Sequence, residues 1–291
     1  MRELRQISVI GLGLLGGSIG LTVLRTFAGI KTVGYTHRPA TRRKARQLAV
    51  VNEVIDDIKK SVSDADLVIL ATPICTFEEI FSAIANVLPK GCIVTDVGST
   101  KVLPHRWAAK RLPKTVHYVG SHPIAGSEQK GVEFARDDLF EQALCILTTT
   151  AKTNKRAVQM LKRFWSALGC TVKLMKPAEH DKVFASVSHL PHIAAAALIN
   201  VNDSETLKFA GRGFMDTSRI ASGPANIWAD IFATNVDNTT KGIDELTAEL
   251  KKLKNAIKSG NRKKIEKLLQ KAKDKRAKLI NYKVKSEELV P

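Results

Sequence analysis

Near the start of the chain a short apolar run, Ile7-Ser8-Val9-Ile10, breaks into Gly11-Leu12-Gly13-Leu14-Leu15-Gly16-Gly17-Ser18 and then continues as a helical pattern to Phe27. Few folds accept this order. Gly11 permits a tight turn directly after a strand. Gly13 leaves the backbone bare, so that a pyrophosphate can approach, and Gly16 lets helix and strand pack closely. The first helical N–H groups, with Leu14 and Leu15 at the turn, lack intrahelical partners and sit at the positive end of the helix dipole. A strand, a G-x-G-x-x-G turn and a helix opening a βαβ unit predict a dinucleotide-binding site.

The pattern repeats downstream. Strands are predicted at Thr32 to Tyr35, Asp66 to Ala71, Cys92 to Thr95, His117 to Gly120, Leu144 to Thr149 and Thr171 to Leu174. Helices are predicted between them, and this alternation implies a largely parallel sheet covered on both faces. After Pro177 no strand pattern remains. Helices are predicted over Ala178 to Ser188, His192 to Val201, Ile227 to Lys258 and Arg262 to Asn281. The reading is therefore an α/β chain with a Rossmann-type domain over residues 1–175 and an all-helical domain over 176–291.

The net charge of +18 raises nucleic acid as a partner. Its placement argues against that. Lys241 to Lys285 hold sixteen Lys or Arg against five Asp or Glu, with almost no aromatic residue to stack a base. A solvated helix face is the expectation. Cys75, Cys92, Cys145 and Cys170 are far apart and form no C-x-x-C pair. They read as free thiols in a reducing cytoplasm, not as zinc ligands or disulfides. No run of about 18 apolar residues and no signal-peptide pattern is evident, so neither a membrane nor export is expected.

Cofactor choice is read at the end of the second strand, where a carboxylate would bind the adenosine ribose and select NAD. Here the residues are Tyr35-Thr36-His37-Arg38-Pro39, with Arg42 and Arg43 following. Thr36, His37 and Arg38 suit a 2′-phosphate, since Arg forms charge-assisted bonds to it. NADP is expected ahead of NAD.

Three further segments carry chemistry: Asp96-Val97-Gly98-Ser99-Thr100-Lys101, Ser121-His122-Pro123-Ile124-Ala125-Gly126-Ser127-Glu128, and Ser188-His189-Leu190-Pro191-His192. The first two fall at carboxyl ends of strands, where open α/β sheets bind ligands. A histidine there suits the proton that leaves an alcohol as its carbon gives up hydride.

Together with Ala71-Thr72-Pro73, His180-Asp181 and Gly213-Phe214-Met215-Asp216-Thr217-Ser218-Arg219, the ordered set closely resembles prephenate and arogenate dehydrogenases. The resemblance covers nearly the whole chain. It implies a Rossmann domain paired with a helical dimerisation domain, a homodimer, and oxidative decarboxylation of prephenate or arogenate on the route to tyrosine. It also implies roles for residues. His122 would accept the proton of the ring hydroxyl, Ser99 would bind that hydroxyl and help place His122, and Arg219 would hold a substrate carboxylate. His192 would line the substrate pocket, with His180, Trp228 and Glu128 as weaker candidates. Thr72 and Pro73 would lie along the cofactor. His189 reads equally as a structural histidine, and Trp228 more readily as core than as a site residue.

The second histidine of His189-Leu190-Pro191-His192 favours prephenate, while the cofactor corner is of a kind found in enzymes that prefer arogenate. Prephenate is the expectation, because the active-site cue lies nearer the chemistry. A β-hydroxyacid dehydrogenase shares this layout but would use a helical lysine where His122 stands. A Rossmann-based sensor that binds nucleic acid has only the basic tail in its favour. No chorismate mutase segment before Gly11 and no regulatory domain after the last helix is expected.

Overall fold

The computed structural model describes residues 4–125 and 129–285. These fall into two compact units that divide between Thr239 and Thr240.

The first unit is built on a six-stranded parallel sheet in the order β3-β2-β1-β4-β5-β6. Its strands are β1 (Gln6–Ile10), β2 (Lys31–Tyr35), β3 (Glu53–Ile55), β4 (Leu67–Leu70), β5 (Ile93–Asp96) and β6 (His117–Tyr118). The helices of this region are α1 (Leu14–Thr26), α2 (Pro39–Gln47), α3 (Ile58–Val62), α4 (Phe77–Ile84) and α5 (Val102–Arg111). β4 is unbroken Leu-Val-Ile-Leu because both of its faces are covered. Leu67 and Ile69 join one core with Ile7, Val9 and Trp165, while Val68 and Leu70 join the other with Phe77 and Phe81. β1 pairs with β2 on one side and β4 on the other. The Gly11 turn therefore lies where the strand order reverses, the position at which such sheets bind ligands.

A second, three-stranded sheet holds β7 (Gly120–Pro123), β8 (Leu144–Thr148) and β9 (Thr171–Met175), backed by α6 (Lys155–Ala167). β7 runs antiparallel to β8. One strand over His117 to Gly120 in a single sheet was expected. Instead the chain leaves the first sheet after Tyr118 and enters the second at Gly120. The glycine makes this crossing possible, since a Cβ there would lie 2.6 Å from the Thr148 hydroxyl and 3.0 Å from the Lys101 stem. β3 and α3 went unread because elements of three and five residues carry too little periodicity.

The helices that follow are α7 (Pro177–Phe184), α8 (Leu190–Asn200), α9 (Ser204–Leu207), α10 (Arg212–Ser218), α11 (Ala225–Thr234), α12 (Val236–Lys258) and α13 (Arg262–Lys285). The helices predicted over Ala178 to Ser188 and His192 to Val201 leave a break around Pro191. The break is absent, because a π turn over Ala185–His189 joins α7 to α8, with the Leu190 N–H donating to the Ala185 carbonyl. Proline follows as an early residue of α8, where its missing N–H matters least. By length and composition the run 177–200 is also apolar enough to cross a membrane, which the sequence reading overlooked. It nevertheless carries buried His180, Asp181, His189 and His192. The long helix expected from Ile227 breaks at Asn235. All-helical structure begins after β9, yet the compact unit runs on to Thr239, because α7 packs on α5 and α11 on the turn Ile74–Thr76.

The second unit comprises the rest of α12 and the Lys-rich α13, nearly every position of which is exposed.

The glycine turn makes a sharp distinction. A Cβ on Gly16 would sit 1.8 Å from the Gly11 carbonyl oxygen, whereas one on Gly13 would meet nothing within 4 Å. Gly16→Ala is expected to cost about 1–3 kcal/mol by overpacking, and Gly13→Ala at most about 1 kcal/mol at its helix-capping position. In thermal melts Gly16→Ala should fall several degrees below the parent. Gly13→Ala should melt near it while binding dinucleotide more weakly. A parental melt for Gly16→Ala would contradict this reading.

Candidate active site

The cofactor end is shaped by backbone. Gly11 has φ +100° and presses on Ala71 and Thr72, where a Cβ would lie 2.6 Å from the Ala71 carbonyl oxygen. This left-handed conformation strongly favours glycine. α1 begins at Gly13 with no side-chain cap, so its first N–H groups are left for a ligand. Thr72 is half-buried beside Gly11, its hydroxyl 2.8 Å from that of Thr76, and Pro73 is exposed. At the end of β2, Thr36 is buried while His37 and Arg38 are exposed. The Arg42 guanidinium donates to the Thr36 and His37 carbonyls at 2.9 and 3.1 Å and braces this corner. Arg42 is thus partly committed to the loop, and Arg38 is the more open cation. Bare backbone at Gly13, an uncapped helix and an arginine-rich corner suit a dinucleotide.

His122 stands on β7 at the junction of the two sheets. Its neighbour Ser121 is anchored by Thr95 at 2.6 Å and by the Trp165 indole N–H at 3.1 Å. Beneath it lies a buried ion pair. Lys101 and Asp96 have no exposed surface, and Nζ donates to Asp96 Oδ1 and, at 2.6 Å, to the Ser121 carbonyl. Tyr118 Oη donates to the other Asp96 oxygen at 2.6 Å, and the Gly98 N–H donates to Oδ1 at 2.7 Å. Burial, followed by the Asp96 charge, holds the Tyr118 phenol well above its ordinary range.

The ring of His122 is held from the helical side. Nδ1 lies 2.8 Å from Nε2 of His180, and His180 Nδ1 lies 2.8 Å from Asp181 Oδ1. Phe184 packs on both imidazoles, with ring centroids 4.8 and 4.5 Å away. Asp181 reaches back to the start of α5, accepting from the Lys101 N–H at 2.7 Å and the Val102 N–H at 2.8 Å. Burial pushes His122 well below its ordinary pKa, and the charges of His180 and Lys101 add to the effect. His180 is pushed down to about 2, chiefly by burial and then by Lys101. His180 has no exposed surface, and both of its nitrogens are used within the protein. It stands behind His122 with neither nitrogen left for a substrate, whereas the sequence offered it as a weaker pocket candidate. Ser99 is half-buried on the loop below, and the ring bond of His122 runs to His180, not to Ser99.

A second cluster lies on α8 and α11. His192 stacks on Trp228 with centroids 3.7 Å apart and planes 13° apart. Gly223 closes over the stack, since a Cβ there would lie 2.4 Å from the Trp228 indole nitrogen. The same turn begins with exposed Arg219, and it packs against the helix that carries His192. Trp228 is half-buried, with one face on His192. Asn235 joins the two clusters, donating to the Asp181 carbonyl at 2.8 Å and lying 3.3 Å from His189 Nδ1. His192 Nδ1 and His189 Nε2 are buried without a hydrogen-bond partner among the described residues. Glu128 lies outside the described residues.

Family models for the nucleotide-binding domain and the dimerization domain of prephenate dehydrogenase match residues 19–174 and 176–271. The prephenate dehydrogenase of Bacillus subtilis is 35% identical over 93% of this chain and 75% of its own length. The chain belongs to the prephenate dehydrogenase family. A crystal structure of prephenate dehydrogenase from A. aeolicus, in complex with hydroxyphenyl propionate and NAD+, has a TM-score of 0.89 at 35% identity, covering 95% of this chain and 99% of that one. An arogenate dehydrogenase from Synechocystis has a TM-score of 0.80 at 29% identity, covering 94% and 99%. Family membership makes the chain an oxidoreductase that uses a nicotinamide cofactor.

Lys101, Asp181 and Phe184 were missed as working parts of the site. Lys101 and Asp181 stood within motifs that carry the family resemblance, yet their contact spans 80 positions and nothing local announces it.

The buried histidines set a pH limit on the fold. Burial pushes His105 and His189 each down to about 4, His180 down to about 2, and His122 well below its ordinary value. Unfolded, all four would take a proton near pH 6.5. Below that pH the unfolded chain binds more protons than the folded one, so stability falls as pH drops. The melting temperature is expected to decline steadily from pH 7 to pH 5, a window above the ordinary carboxylate range. A flat profile would show that these imidazoles are not buried as neutral groups.

Proposed function

We propose that this chain converts prephenate to 4-hydroxyphenylpyruvate and carbon dioxide, with NADP preferred to NAD. The observation that carries the reading is His122. One ring nitrogen is fixed on His180, and the other makes no hydrogen bond to the described protein, at the carboxyl ends of the strands where the cofactor would lie. Its depressed pKa keeps it neutral near pH 7 and able to accept a proton. When bound, the nicotinamide supplies the hydride acceptor. His122 takes the proton of the ring hydroxyl as that carbon loses hydride; loss of the ring carboxylate as carbon dioxide then moves an electron pair onto the ring oxygen, which takes the proton back from His122 to give the aromatic phenol. Arg219 offers a fork matched to a substrate carboxylate, and His192 stacked on Trp228 offers an apolar and polar wall on the neighbouring helices. Ser99 lies on the loop that would meet the reacting hydroxyl, and Gly11, Gly13, Leu14, Leu15, Gly16, Thr72 and Pro73 line the cofactor end.

His122→Asn is expected to bind cofactor normally and lose about 10²–10⁴-fold in kcat, the usual contribution of a general base. Arg219→Ala should chiefly raise KM, since it removes a ground-state clamp. Steady-state kinetics with direct cofactor titration decides both. Near-parental turnover in His122→Asn would remove His122 from the chemistry.

Arg38 supports the cofactor preference, because a charge-assisted bond to a 2′-phosphate contributes about 1.5–3 kcal/mol, and every 1.4 kcal/mol is about tenfold in affinity. Measuring kcat/KM for prephenate and arogenate, each with NAD and NADP, should give roughly tenfold or more in favour of NADP, with prephenate the better substrate. Thr36→Asp with Arg38→Ala should reverse the cofactor preference. Preference for NAD in the parent would overturn the reading of this corner and leave His122 untouched. Preference for arogenate would favour the second reading, which the likeness to the Synechocystis enzyme supports.

A further inference from the structure

The hydrogen-bond chain behind His122 has a direction, and the direction can be deduced. Its far end is Asp181, which is buried. Each carboxylate oxygen receives a main-chain N–H, Oδ1 from Lys101 at 2.7 Å and Oδ2 from Val102 at 2.8 Å. An amide N–H can only donate, so Asp181 is matched to its environment as a pure acceptor. Burial pushes the carboxyl up, and the two N–H groups at the head of α5 oppose that shift. The atom facing Oδ1, Nδ1 of His180, must therefore carry a hydrogen. A neutral imidazole has only one N–H, which makes His180 Nε2 an acceptor. The atom facing it is His122 Nδ1 at 2.8 Å. That nitrogen then holds the only ring hydrogen of neutral His122, and the lone pair sits on Nε2.

We infer that Asp181 and His180 are positioning residues which lock His122 in the Nδ1–H tautomer, with Nε2 presented as the proton acceptor. The inference rests on the reading of His122 as the base. It adds that the base is made competent by a carboxylate one ring further back, and that the same carboxylate ties the helical segment to the start of α5. The proton balance is simple. Nε2 gains the substrate's hydroxyl proton, Nδ1 keeps its own, and His180 need not move one. The resulting imidazolium still donates to His180.

Asp181→Asn tests the direction. An amide group turned toward His180 would donate to Nδ1, which moves the His180 hydrogen to Nε2 and, in turn, the His122 hydrogen to Nε2. The acceptor is then lost although no catalytic atom has been removed. The expected result is a fall in kcat of about 10²–10⁴-fold, the size of a lost general base, with KM and cofactor affinity little changed. His180→Phe should lose turnover similarly, because nothing then selects the tautomer. His180→Gln presents an acceptor and a donor at matching ends, and should recover most of the loss in His180→Phe.

A spectroscopic measurement on the parent protein removes any dependence on how the variants fold. Long-range ¹H–¹⁵N correlation of histidine-labelled full-length protein, assigned with His122→Asn, should show His122 with a protonated Nδ1 and a bare Nε2. The opposite tautomer in the parent, or parental kcat in both Asp181→Asn and His180→Phe, would overturn the inference. Should His122→Asn itself retain turnover, the proposed chemistry fails instead, whichever tautomer the spectrum reports.

Discussion

The acceptance of two main-chain N–H groups by one buried carboxylate organises this molecule. Asp181 closes the start of α5, where orphan N–H groups would otherwise be buried unpaired. In the same geometry it holds His180, and through it His122. The helix dipole favours a negative charge at this point. One side chain on the first helix after β9 therefore joins the Rossmann sheet to the helices that follow. That connection explains why the compact unit continues well past the last strand.

Beneath the histidine pair, Lys101 and Asp96 form a fully buried ion pair. Such a pair is costly to desolvate and is weak evidence of stability by itself. Its surroundings make it tolerable: Asp96 also receives Tyr118 and Gly98, and Lys101 also reaches the Ser121 carbonyl. It places a fixed positive charge under His122 and His180 and helps keep both neutral. The cofactor end uses another strategy. There the backbone is left bare by glycines and by an uncapped helix, so that a phosphate would meet N–H groups with no side chain between.

Much of this was legible in sequence wherever the constraint is local. The glycine turn follows from sterics within a few residues, as Gly11 at φ +100° and Gly16 against the Gly11 carbonyl demonstrate. The all-apolar strands follow from burial on both faces, and His122 stood out as a histidine at a strand end. Elements that depend on distant partners were misread. The split between β6 and β7 depends on Gly120 passing Lys101 and Thr148. The unbroken helix across Pro191 depends on a π turn that no propensity predicts.

By itself the sequence determined the family, the α/β region followed by helices, and the glycine turn after the first strand, because each of these is written in adjacent residues. Tertiary structure alone decided what His180 is for. As one more histidine in the helical region it read as a pocket residue. Folded, it has no exposed surface and stands between His122 and Asp181. The reason is physical. A tautomer depends on which donors and acceptors meet across space, and the amides that orient Asp181 lie 80 positions away in the chain.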